Sequence, residues 1–202
     1  MAEQVVPTKG NLLTTKKYLG LSTLGFDLLD RKRNILVREL MLRIDEAREL
    51  KGQVREIFDE AYRALQQANI TLGVIEPLAE RLPVAGGIEI SYRSVMGVEL
   101  PGVTLREHIP DPAYSLLDTN SRLDYAYCCF MQVRALSGRL AEVENSIYRL
   151  TSAIKKTQRR ANALKNIIIP RFEDNVKFIT DSLEEKEREE FSRLKVLKKN
   201  RG

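Results

Sequence analysis

The sequence has little of what a compact globular core requires. It contains no tryptophan and a single histidine, and aromatic residues make up 6% of its 202 positions. An ordinary globular core carries more aromatic volume, whereas a seam between two helices is built from Leu, Ile, Val and Ala. The composition therefore favours extended helices over a globular domain.

Metal centres, disulfides and membrane spans are also poorly supported. His108 has no second histidine with which to share a metal ion. Cys128 and Cys129 are adjacent, which suits neither an ordinary disulfide nor a spaced zinc motif. No apolar run reaches the roughly 18–20 residues that span a bilayer, and Met1–Asn11 lacks the apolar segment of a secretory signal. We expect no cofactor, no metal and no membrane insertion, and a reducing, cytoplasmic location.

Catalytic motifs are equally scarce. Gly86-Gly87 is followed by Ile-Glu, so the Lys-Ser/Thr of a Walker phosphate loop is missing. Asp111 and Asp118 stand among prolines and serines, as turn or cap residues do, and Cys129 fits a buried small hydrophobe better than a nucleophile. The sequence predicts a protein that is not itself an enzyme. Its net charge of +5, from 33 basic and 28 acidic residues, favours acidic partners.

What the chain does contain is heptad repeats in both halves. Such spacing is typical of two helices packed along one seam. In the second half one series recurs every seven residues and a companion follows three residues later: Ala126, Val133, Leu140, Ile147, Ile154, Ala161, Ile168 and Cys129, Leu136, Val143, Leu150, Thr157, Leu164. In the first half the series are Leu40, Ala47, Val54, Ala61, Ala68, Ile75 and Ile44, Phe58, Leu65, Leu72, with Lys51 interrupting the second.

A turn-rich middle separates the two repeats. Residues 73–112 hold five of the seven prolines, so the long helices cannot run through them. Apolar and polar residues alternate over 88–93 and resume at 98–105, which predicts a β-hairpin turning at Met96-Gly97 with Pro101 at an edge or bulge. The fold class is mainly α: a long antiparallel two-helix coiled coil (1–75 and 118–202, the latter kinked near Pro170) with a small hairpin head at 76–117.

Antiparallel pairing brings two basic runs to one level. If Ile75 lies near Asn120, paired residues have numbers that sum to about 195, because each residue of both helices rises about 1.5 Å. Ile44 then lies beside Leu150. The same register gathers nine cations, which we call the basic collar: Arg31, Lys32, Arg33, Arg38, Lys155, Lys156, Arg159, Arg160 and Lys165. A solvated helix face is the alternative for any single residue of the collar, but their convergence favours an acidic protein surface around the helices.

Several motifs lie along both helical halves: Pro7-Thr8-Lys9 with Gly25, Leu28-Leu29 and Lys32-Arg33 near the start, and later the runs 154–164, Ile169-Pro170 and 187–195. In these motifs the chain resembles the D subunit of the V-type and archaeal-type rotary ATPases, and the similarity is strongest in the later runs. Three residues depart from the common pattern: Lys9, Ala161 and Lys165 stand where the family often has arginine, valine and glutamate. Lys165 adds to the basic collar.

The resemblance implies a central rotor shaft of a V/A-type ATPase or ATP synthase. It implies that the paired termini lie inside a ring of catalytic A and nucleotide-binding B subunits, that the head meets a membrane-side funnel subunit of the ion-carrying ring, and that a small central-stalk F subunit binds the exposed helices. The complex couples ATP chemistry to H⁺ or Na⁺ movement, and the chain is peripheral to the membrane. The sequence leaves open which ion is carried and whether ATP is mainly made or consumed.

The face that binds the F subunit is expected near the head, outside the ring. We assign it to aromatic and apolar residues of both helices: Phe58, Tyr62, Leu65, Tyr125 and Tyr127. The alternative function is a free-standing coiled-coil scaffold or tether with no motor role. Nucleic-acid binding ranks lower because no aromatic residues interleave with the cations, and a membrane-surface helix ranks last.

Overall fold

A computed structural model describes residues 6–80, 87–105, 114 and 119–200. Its elements follow the chain in a simple order: α1 (Lys9–Leu72), α2 (Glu76–Ala79), β1 (Ile88–Val95), β2 (Val98–Leu105), α3 (Ser121–Ala163), a π-helical turn (Leu164–Ile168) and α4 (Ile169–Asn200). The predicted fold class, mainly α with an antiparallel helix pair and a β-hairpin mid-chain, is confirmed. His108, Asp111, Asp118 and Gly86 lie outside the described residues.

The chain divides into two compact units. The terminal unit comprises the residues up to Asn34 together with those from Ile154 onward, and the central unit comprises Ile35–Ala153. Each contains one stretch of α1 packed against a stretch of the chain's second half, so each is described separately.

Side-chain and glycine caps set the helix ends. The Thr8 hydroxyl accepts a hydrogen bond from the Asn11 N–H at 3.2 Å, as an N-cap does. α1 ends three residues earlier than predicted, because Gly73 adopts a φ of 78° and its N–H bonds the Asn69 carbonyl. At the start of α3, Asn120 caps the Leu123 N–H through its side-chain oxygen.

In the central unit the buried residues of α3 follow the predicted heptads, whereas one predicted series of α1 is wrong. Ala126, Cys129 and Val133 are buried with Ala61 and Ala64 in one cluster. In a second cluster the buried residues are Ala47, Leu50 and Val143. The predicted companion series of α1 is one residue late: Ile44, Phe58 and Leu65 are only half-buried and Lys51 is exposed, at a 2.9 Å ion pair with Glu144.

The hairpin turns where the sequence predicts. Met96 and Gly97 both have positive φ, 50° and 75°, which matches a two-residue turn between twisted strands. Pro101 pairs with Tyr92 in the register. Glu99 and Val103, two residues to either side of Pro101, direct backbone groups to α3 instead of β1. The Pro101 nitrogen lies on the same edge of β2, so its missing N–H costs no bond between the strands.

The hairpin lies along the helices of the central unit. The Glu142 carboxylate accepts a bond from the Val103 N–H at 2.9 Å, and Arg149 donates to the Glu99 carbonyl at 3.1 Å. Leu100 of β2 is buried, and a Cβ on Gly138 of α3 would lie 3.2 Å from Leu105. These contacts run antiparallel to α3, so the turn points away from the end where α1 stops and α3 starts. In contrast, Ile88, Ile90 and Tyr92 of β1 are about 60% exposed.

In the terminal unit, α1 packs on the segment that follows Ile154. A Cβ on Gly25 would lie 3.8 Å from Leu164, and the rings of Tyr18 and Phe172 stack at 6.1 Å. The helical path continues through Pro170 after the π turn, in which the Ile169 N–H bonds the Leu164 carbonyl. A bend at Pro170 stays a prediction. Ile168, predicted to lie on the seam, is 37% exposed, so that assignment is wrong.

Candidate partner-binding surfaces

The core of the basic collar lies in the terminal unit. The Arg33 guanidinium donates a 3.0 Å hydrogen bond to the Gln158 amide oxygen, which fixes the level at which the two segments meet. Gln158 stands between the pairs Lys155-Lys156 and Arg159-Arg160 in the sequence. The structure therefore brings the run at Arg31–Arg33 to the same level as these four cations.

Four cations on either side of Gln158 form an accessible part of the collar. Lys155, Lys156, Arg159 and Arg160 are all exposed. Residues four apart lie on the same side of a helix. Two such pairs, Lys155 with Arg159 and Lys156 with Arg160, lie next to each other, so their like charges cover the outer side of the helix. No acidic residue occurs between Glu144 and Glu173, and within the described ranges none of the four forms an ion pair. Their positive charge is available to a partner.

Two of the other collar residues, Arg33 and Lys165, make contacts within the chain. Arg33 is half-buried and forms a 2.7 Å ion pair with Asp30, so its charge is largely offset within the chain. The Lys165 ammonium lies 5.7 Å from the centre of the Phe26 ring, a cation–π contact. Arg31 is exposed and Lys32 half-buried. Arg38, also exposed, belongs to the central unit.

The predicted aromatic face falls on two flanks of the central unit. Phe58 stacks on Tyr62 at 6.0 Å, and Tyr62 meets Phe130 edge-on at 5.8 Å. Successive helical residues are about 100° apart, so Phe58, Tyr62 and Leu65 share the flank on one side of buried Ala61. Tyr127 lies on the same flank as Phe130. Tyr62 is 54% exposed and dominates this surface, which we call the aromatic flank.

Tyr125 lies on the opposite flank. Its hydroxyl donates a hydrogen bond to the Glu60 carboxylate, and Glu60 precedes Ala61 by one residue whereas Tyr62 follows it. That bond, which favours the protonated phenol, raises the pKa of Tyr125 to about 12. The structure therefore groups Phe58, Tyr62, Leu65 and Tyr127 and separates Tyr125 from them.

Tyr127 of the aromatic flank is half-buried and already contacts another ring of the chain. Its ring packs edge-on against Tyr114 at 5.9 Å, and the Tyr114 hydroxyl donates to Asp124 at 2.6 Å. Burial and that carboxylate raise the pKa of Tyr114 well above its usual range. Tyr127 thus contributes to a local contact between Tyr114 and the first turns of α3.

One contributor was missed in the sequence. Gln158 sets the level of the collar, and the signal was its place in the middle of a basic run. Its side chain carries no charge, so a charge pattern does not include it. Phe130, which completes the aromatic flank, lies within the predicted face, which extended over Phe58–Ile75 and Asp124–Val133.

Other kinds of site find no support in the part of the chain that the structure describes. There, no three His, Cys, Asp or Glu side chains are grouped to hold a metal ion. Over the same residues, no helix is both long and apolar enough to cross a membrane.

Comparison with known proteins identifies the family. The sequence pattern of the family described as the D subunit of ATP synthase matches residues 11–199, which includes both long helical segments and the hairpin. The chain belongs to the ATP synthase D-subunit family. The match includes every residue of the basic collar and of the aromatic flank.

Relatives within the D-subunit family align over almost their whole length. The V-type ATP synthase D subunit of Thermotoga neapolitana is 44% identical over 196 residues, which cover 96% of this chain and 97% of the relative. The A-type ATP synthase D subunit of Thermococcus kodakarensis is 40% identical, with 98% and 96% covered. The corresponding protein of Pyrococcus horikoshii is 38% identical, with 96% and 94% covered. The similarity therefore extends over nearly the whole of each relative.

Proposed function

We propose that this chain is the central rotor shaft of a V/A-type ATPase or ATP synthase, and that it transmits torque between a catalytic A/B ring and the membrane ion-translocating ring. The observation that carries the proposal is the match to the D-subunit family along residues 11–199. The antiparallel helix packing supports it, because two helices packed along a seam resist bending better than one. The chain contributes no catalytic group of its own.

Rotation of the chain inside an ATP-hydrolysing ring is the direct test. The chain, carrying a bead at exposed Gly73 just after α1, is reconstituted with A and B subunits of the same organism and supplied with ATP. We expect unidirectional rotation of the bead. Light scattering on the isolated chain addresses the scaffold alternative: a stable homodimer, together with no copurification of A and B subunits, would overturn the shaft proposal.

The accessible collar supplies the contact with the ring. Four exposed cations on one segment attract an acidic inner surface at long range, and each exposed charge contact contributes about 0–1 kcal/mol. Contacts of this strength hold the chain without locking it in one rotational position. Arg33, already paired with Asp30, serves to align the two segments instead.

Two variants that each remove two positive charges test the collar. Arg159→Gln with Arg160→Gln is compared with Arg55→Gln with Arg139→Gln, two exposed arginines of the central unit. We expect the first pair to weaken ring binding about tenfold at 0.1 M salt, with the difference shrinking at 1 M because the charges are then screened. Equal binding of both variants would remove the collar from the ring interface.

The aromatic flank is the surface we assign to the small F subunit, and the membrane-side funnel subunit is the further partner of the central unit. Tyr62 offers a half-exposed ring backed by Phe58 and Phe130, which is a rigid amphipathic anchor. Tyr62→Glu should abolish copurification with the F subunit. Tyr148→Glu, at a tyrosine 75% exposed elsewhere in the central unit, should leave it intact; retention of that partner by Tyr62→Glu would place the interface elsewhere.

A further inference from the structure

The seam of α1 keeps one uninterrupted heptad repeat. All its buried residues fall on just two of the seven heptad positions. Thr15, Leu36, Leu50 and Ala64 occupy one position, and Ala47, Ala61 and Ala68 occupy the other. Within each set the residue numbers differ by multiples of seven. A helix with such a repeat presents one continuous stripe to its partner.

The facing segment of the terminal unit does not keep the same count. Before the π turn its inward-facing residues are Thr157, Ala161 and Leu164, and after the turn they are Phe172, Val176 and Ile179. Each residue of the second set stands fifteen positions after its counterpart in the first, one more than two heptads. One extra residue therefore lies between Leu164 and Phe172.

Burial shows the same change of phase. Thr157 and Ala161 are buried before the extra residue, and Ile179 is fully buried after it. Ile168, the next member of the earlier repeat, is 37% exposed. The later seam residues Phe172, Val176, Ile179 and Leu183 all stand one position later than the earlier repeat predicts.

The π turn holds the extra residue. The Ile169 N–H bonds the carbonyl of Leu164, five residues back, where an α-helix would use four. A turn widened by one residue lets the helix on each side keep its seam toward α1. Pro170 follows directly, at a place where regular backbone bonding is already altered.

Packing around this turn is sparse. None of the residues of the π turn is buried, and Ile167 is 65% exposed. On α1, Gly25 faces Leu164, and a Cβ at Gly20 would meet nothing within 4 Å. Segments with few buried contacts and altered hydrogen bonds open more readily than their surroundings.

We propose that Leu164–Ile168 is a compliant joint, created by one inserted residue, at which the second helix can twist against α1 while both flanking seams stay packed. The joint is a property of the folded chain and does not depend on the shaft proposal. In a shaft, it would be the place where twist is taken up first.

Removing the inserted residue tests its origin. Deletion of Ile167 combined with Pro170→Ala restores one continuous repeat without forcing a proline into a regular helix. We expect its Tm to equal or exceed that of Pro170→Ala alone. The matched control deletes exposed Asn145 in the same Pro170→Ala background, which puts regular α3 out of phase, and should lower the Tm by about 5 °C or more. A loss in the Ile167 deletion at least half as large as in the control would overturn the assignment.

Hydrogen exchange on the full-length chain tests the compliance. Amides of 165–169 should exchange at least about tenfold faster than those of 150–154 in regular α3. In the Ile167 deletion with Pro170→Ala, the difference should disappear, whereas Pro170→Ala alone should retain it because the extra residue is still present. Equal exchange of the two segments in the natural sequence would show that no joint exists there.

Discussion

The contact between Gly138 of α3 and Leu105 of β2 gives a quantitative test of how the hairpin is held. A Cβ at Gly138 would lie 3.2 Å from Leu105 Cδ1 and 3.7 Å from its Cγ. Replacing glycine by alanine within a helix stabilises by about 1 kcal/mol, and a displaced leucine side chain offsets part of that gain. Valine gains only about 0.4 kcal/mol of helix propensity, while its added methyl groups overpack the contact at a cost of about 1–3 kcal/mol.

Gly52 is the matched control, because it lies within α1 and its Cβ would meet nothing within 4 Å. For a chain of this size 1 kcal/mol corresponds to about 2–4 °C in Tm. Thermal unfolding should show Gly52→Val slightly above the parent and Gly138→Val about 2–8 °C below it. Limited proteolysis should then cleave the hairpin faster in Gly138→Val alone. The same Tm change at both glycines would refute the packing of the hairpin on α3.

Two further predictions concern the central unit. Leu150→Ala empties a fully buried position and should lower the free energy of unfolding by about 2–5 kcal/mol in a denaturant titration; a loss below 1 kcal/mol, roughly the effect of a surface change, would contradict its burial. The Tyr125 phenol has its pKa raised above the ordinary value of 10 to about 12, so the Glu60 bond stabilises the fold fully below about pH 10 and loses that effect as the pH rises through 12. Absorbance at 295 nm, compared with Tyr125→Phe, should show one tyrosine titrating near pH 12; a difference curve centred near pH 10 would exclude the bond.

Local signals were sufficient to predict the hairpin and the seam of α3. The turn at Met96-Gly97 was readable because strand alternation stops there and glycine accepts positive φ. The α3 series was readable because Val143 and Leu150 are large and apolar as well as buried. The predicted pairing of Ile44 with Leu150 stays a prediction, which a spin-label distance would measure.

The companion series of α1 was misassigned because the most hydrophobic side chains there are not the most buried ones. Leu65 is the larger side chain, but the buried position one residue earlier holds Ala64. A close helix–helix contact favours small residues, which a search for large apolar side chains overlooks. The π turn was hidden for a related reason: Ile167, Ile168 and Ile169 offer three consecutive candidates for one seam position.

The collar illustrates the limits of charge patterns. Sequence register placed Arg33 and Arg159 at one level, but it could not show that Arg33 is paired with Asp30 or that Arg38 belongs to the other unit.

The docking of the hairpin along α3 depends on Glu142 and Arg149, which bond to backbone atoms about 40–50 residues earlier in the chain. Contacts between residues so far apart in the chain produce no periodic pattern in the sequence, so periodicity cannot predict them.

The alanines at 61, 64 and 68 have an implication for mutational studies. Their side chains are already minimal, so truncation scanning has nothing to remove and would report this stretch as insensitive. Enlargement does the opposite: even serine or valine must push two backbones apart, since helix spacing depends on the residues at the contact. We therefore expect Ala61, Ala64 and Ala68 to tolerate no larger side chain, although alanine scanning would report no effect there.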